Sequence, residues 1–65
     1  MTARETELDM ATRHVAEQEK RIARQEILIE HLQEVRVPTG DALGLLGIML
    51  DFLETMRDHV KRISN

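Results

Sequence analysis

Sixty-five residues allow one small domain, and at 42% hydrophobic and 32% charged the chain is too apolar to be disordered. It contains no Cys, which excludes disulfides and thiolate metal sites and leaves tight helix packing or self-association as the stabilising device. The net charge of −3 argues against a nucleic-acid binder, which normally carries a basic surplus.

The opening MTARETELD is acidic and polar and does not read as a signal peptide. The longest uncharged run in the apolar stretch, residues 42–50, is nine residues, against about 20 for a membrane span. The expectation is a single domain over residues 1–65, cytoplasmic, with no membrane partner.

The first predicted element is a long helix over about residues 3–35. Thr2-Ala3-Arg4-Glu5 matches a capping box, and Glu5, Glu7 and Asp9 complement the positive end of the helix dipole. Leu8, Val15, Ile22 and Ile29 recur every seven residues, and Ala11, Gln18, Gln25 and Leu32 fall three residues after each. This is a heptad seam with two glutamines in it. They read either as a layer that sets register or partner, or as side chains lying along a partly buried stretch; the second is the simpler reading.

The turn spans residues 36–40. Pro38 disfavours helical geometry at Val37 and stops helix 1 near Val35 or Arg36. Thr39 is the expected N-cap of helix 2, with Pro38 at the first helical position as the rival placement. A short connection makes the helices antiparallel.

Helix 2 is predicted over about residues 41–63. Leu46, Met49, Leu53, Met56, Val60 and Ile63 form a second seam. Opposed around the Pro38 turn, the seams place Ile29 near Leu46, Ile22 near Leu53 and Val15 near Val60. The intrachain seam is thus Val15, Ile22, Ile29, Leu32, Leu46, Leu53 and Val60, and the N-terminus of helix 1 overhangs by about two turns. Ten of the fifteen residues 42–56 are apolar, too many for one partner helix to cover. Left exposed, they exceed the few hundred Å² of apolar patch that monomers tolerate. The fold class expected is therefore all-α: a two-helix hairpin that dimerises into a four-helix bundle. The oligomer interface is assigned to Leu43, Leu45, Ile48, Met49, Phe52 and Met56. Gly44 and Gly47 share one side of helix 2 and suggest close approach of a neighbouring backbone or side chain.

Candidate chemistry is sparse. His14, His31 and His59 are the only nitrogen ligands, and His14 and His59 fall near the open end of the hairpin, but the Glu-x-x-His signature of metal-binding bundles is absent. No cofactor is implied. Arg13, Lys20, Arg21 and Arg24 surround Glu17 at spacings that suit a solvated, ion-paired face. No catalytic residue is assigned, because neither a nucleophile with a base nor a phosphate loop can be assembled. The function expected is non-enzymatic: a self-associating helical interaction module, with a small regulator that covers a larger protein through helix 2 as the alternative. A nucleic-acid-associated role ranks below both.

His14-Val15-Ala16-Glu17, Arg21-Ile22-Ala23-Arg24-Gln25 and Leu28-Ile29-Glu30-His31-Leu32 resemble the "VAEGERRIARQ…LI..L" helix of a group of short alphaproteobacterial proteins. Thr39, Ala42, Leu45-Leu46, Phe52, Met56, His59 and Arg62-Ile63 are similar to that group's second half, "DT..A..LL..F..TL..H…RI". The likeness covers about three quarters of the chain. It implies a bacterial helical hairpin and no particular activity. Pro38 departs from the group's Asp, and Gly44 and Gly47 replace better helix formers.

Overall fold

The computed structural model describes residues 5–64. They form an antiparallel hairpin of two helices, α1 (Glu7–Glu34) and α2 (Gly40–Ser64), with no strand among the described residues. The hairpin measures 50 × 27 × 12 Å.

Helix α1 starts later than the sequence reading placed it. Thr6 is the N-cap: its side chain accepts from the Asp9 backbone N–H at 3.0 Å, and Asp9 accepts from the Thr6 N–H at 3.3 Å. Two capping boxes stand in tandem in the sequence, and the second is used. The expected box begins at Thr2, outside the described residues, while Glu5 is non-helical and pairs with Arg13 at 3.1 Å. The Thr6 box places Leu8, the first residue of the seam, in the first turn of α1.

At the other end α1 closes with a Schellman motif. The Val37 N–H donates to the Leu32 carbonyl at 2.9 Å and the Arg36 N–H to the Gln33 carbonyl at 3.2 Å. The motif needs a left-handed residue, and Arg36 supplies it at φ 61°. Pro38 follows two residues later, where no helical hydrogen bond is required of it. The Thr39 carbonyl then accepts from the Leu43 N–H at 2.8 Å and opens α2.

The core is a single thin seam. Ala11, Ile22, Ile29 and Leu53 are buried, and no large side chain among the described residues is fully enclosed. Val15, Leu32, Leu46, Met49, Met56, Val60 and Ile63 are half-buried along the same line. The most buried residue is polar: Gln18, 5% exposed. Its Nε2 donates to the Met49 carbonyl at 3.1 Å, and Gln25 Nε2 donates to the Ala42 carbonyl at 2.9 Å. These carbonyls lie inside α2, where each also has its helical partner, so the glutamines use the second lone pair.

The two bonds overturn the expected register. Opposing Ile29 to Leu46 would set Gln18 level with Arg57 and Gln25 level with Leu50, about 12 Å along the axis from the carbonyls they reach. The seams are instead slipped by about one heptad. Glu7 stands 3.9 Å from His59 at the open end, consistent with the slipped pairing. The overhang accordingly moves. The N-terminus of α1 does not project beyond α2, where Glu7 lies beside His59; in the slipped register residues 28–34 run on past the start of α2.

A non-glycine residue in the left-handed region costs about 1 kcal/mol. Arg36→Gly is expected to raise the thermal midpoint by about 4 °C, and Arg36→Val to lower it, as followed by circular dichroism. A lower midpoint for Arg36→Gly would contradict the cap.

Candidate interaction surface

A hairpin of two helices has two broad faces. At 3.6 residues per turn, residues 43 and 50 of α2 point to one, and residues 45, 48 and 52 to the other. Contacts fix which α1 residues share each face. Arg57 pairs with Glu19 at 2.7 Å on the first face, where Leu50, Leu53, Glu54, Arg57, Asp58 and Lys61 line an open depression. On the second face His14, Glu17 and Arg21 line a depression together with Phe52 and Met56.

The two faces differ in character. The first carries Leu43 and Leu50, each about half exposed, among charged side chains of both signs. The second carries a continuous apolar strip along α2: Leu45 is 48% exposed, Ile48 67% and Phe52 57%. Leu53, one residue on from Phe52, is 7% exposed. The difference comes from α1, which covers Leu53 and leaves its neighbour open.

The six residues assigned to an oligomer interface therefore do not form one surface. Leu45, Ile48 and Phe52 share a face. Met49 and Met56 are half-buried in the seam and edge that face. Leu43 lies on the opposite side and cannot join it. Leu28 of α1 and the C-cap residue Val35, both exposed, stand at seven-residue spacing with Arg21 and extend the second face towards the turn.

The glycines do not work as expected within the hairpin. A Cβ built on Gly40, Gly44 or Gly47 meets nothing within 4 Å, so neither Leu28 nor Ile29 needs the space. Nor does the basic cluster form the expected ion pairs. Arg13 binds Glu5 rather than Glu17, and Arg21 reaches Gln18 Oε1 at 3.5 Å. Among the described residues Glu17, Lys20, Arg21 and Arg24 have no ion-pair partner within 4 Å.

The three histidines are separate. His14 borders Phe52 and Met56, His59 faces Glu7, and His31 is exposed in the last turn of α1. Among the described residues no three His, Asp or Glu side chains gather as a metal site, and no helix is long and apolar enough to cross a membrane. Every buried side-chain nitrogen or oxygen among them has a hydrogen-bond partner. No family model, curated protein or solved structure matches the chain.

Two expectations follow. Gly44→Ala with Gly47→Ala should stabilise the chain by about 1 kcal/mol per site, since both positions are helical, exposed and free of neighbours. A lowered thermal midpoint would show that something outside the hairpin packs against them. Gln18→Leu with Gln25→Leu should leave stability within about 1 kcal/mol, because each carbonyl keeps its helical bond. It should also broaden or multiply amide resonances as the hairpin samples the alternative register, and a single sharp set would count against the glutamines as register pins.

Proposed function

We propose that this protein is a non-enzymatic interaction module that associates with a second copy of itself through the second face, forming a four-helix assembly. One observation carries the reading: α1 buries Leu53 while Leu45, Ile48 and Phe52 stay about half exposed or more beside it. An apolar strip of this size costs solubility in a monomer and stabilises a complex when covered. The thinness of the core supports the same reading. Helical hairpins this small gain much of their stability from partners, and here no large side chain among the described residues is fully enclosed. Residence in the cytoplasm and kinship with the short alphaproteobacterial hairpins belong to this proposal. The kinship is supported by residues 14–32.

Sedimentation velocity over a micromolar concentration series tests it. The native chain should sediment at twice its 7.5 kDa mass, and Phe52→Glu should shift it to monomer with reduced helicity. A folded monomer for the native chain at all concentrations would overturn the reading.

A further inference from the structure

We infer that the two copies pack antiparallel, related by a two-fold axis that crosses α2 at Ile48, and that Glu17 of each copy pairs with Arg21 of the other. This rests on the self-association proposed above and specifies its geometry.

The apolar strip locates the axis. Leu45 and Phe52 are the ends of the strip, and Ile48, its most exposed member at 67%, lies near its middle, three residues from Leu45 and four from Phe52. A two-fold axis perpendicular to the helices through Ile48 sets Leu45 against Phe52 of the second copy, twice, with Ile48 against itself. Every apolar side chain of the strip then meets another, as an isologous contact requires.

The hydrogen-bonded register supplies the second half of the argument. Gln18 reaches Met49 and Gln25 reaches Ala42, so the stretch of α1 around Glu19 lies beside Ile48. Glu17 and Arg21 lie two residues to either side of Glu19, and both border the same depression as Phe52. The axis through Ile48 thus passes between them and carries Glu17 of one copy onto the height of Arg21 of the other, on both sides of the interface. Both side chains are free to pair: neither has an ion partner within 4 Å among the described residues. An axis parallel to the helices does the opposite. It stacks α2 of one copy on α1 of the other and presses Ile48 and Phe52 against His14, Glu17 and Arg21, which would desolvate charges against an apolar strip.

Area permits the arrangement. A face of 50 × 27 Å is larger than the roughly 800 Å² per partner of a standard interface. The contact is apolar at the centre line of α2 and charged along α1, the usual order of core and rim.

Charge reversal across the two-fold axis tests the geometry. Glu17→Arg gives a chain with two cations at the rim and Arg21→Glu one with two anions, so each should dimerise at least about tenfold more weakly than the native chain. An equimolar mixture of the two variants should recover association to within a few-fold of native, because every rim position then meets its opposite charge. Circular dichroism confirms that the exposed substitutions leave the fold intact. Because the chain has no Cys, Ile48→Cys provides an independent reading: oxidation should link the two copies at the axis. A native dimer whose variants are unaffected, or whose mixture fails to recover and whose Ile48→Cys chain does not cross-link, would overturn this geometry and leave self-association standing. A native chain that is monomeric throughout would overturn both.

Discussion

The structure depends on two hydrogen bonds from glutamine side chains to backbone carbonyls, Gln18 to Met49 and Gln25 to Ala42. A heptad seam has a built-in ambiguity. Sliding one helix past the other by seven residues returns apolar positions to apolar positions, so hydrophobic contact alone does not choose between registers. A glutamine that must find an acceptor does choose. In the slipped register both glutamines find a helical carbonyl with a free lone pair, and no buried side-chain nitrogen or oxygen among the described residues is left unpaired. The cost is modest, because the carbonyls keep their own helical partners. The gain is one register rather than two near-equal ones, a specificity that apolar packing along this seam would not supply.

That register also decides what remains uncovered. With α1 fixed against Ala42 and Met49, its seam side chains close over Leu53 and the half-buried Leu46 and Met49. Leu45, Ile48 and Phe52, turned away by one step around α2, are left to solvent beside Glu17 and Arg21. The charges of α1 thus come to border the apolar strip of α2, and the register within one chain places the groups that would meet between two. The cap at Arg36 belongs to the same arrangement. Its left-handed backbone turns the chain back, with the Val37 N–H on the Leu32 carbonyl, ahead of the start of α2 at Gly40.

Much of this was legible in the sequence, and the failures share a physical origin. The helix types, the Pro38 turn and the surplus of apolar residues in α2 follow from periodicity and from proline stereochemistry, which are local. The register was missed because heptads are degenerate and the turn was treated as a point, whereas the Schellman reversal and residues 37–39 take up several residues of length. The start of α1 was missed because two Thr-x-x-acid boxes stand in tandem, and local sequence does not say which one the seam will reach. The assigned interface mixed the two faces of α2, since counting apolar residues does not record that Leu43 and Leu45 point about 160° apart around the axis. Gly44 and Gly47 suggested a close neighbour, and within the hairpin there is none.

In the proposed dimer, folding and self-association are coupled, because the hairpin alone leaves the strip of Leu45, Ile48 and Phe52 exposed. Mass action offers the most direct test: when association stabilises the folded state, the thermal midpoint depends on protein concentration. Circular dichroism melts from low to high micromolar concentration should show a midpoint that climbs steadily with concentration. A midpoint that stays fixed across that range would show the hairpin to be complete as a single copy and would contradict the account.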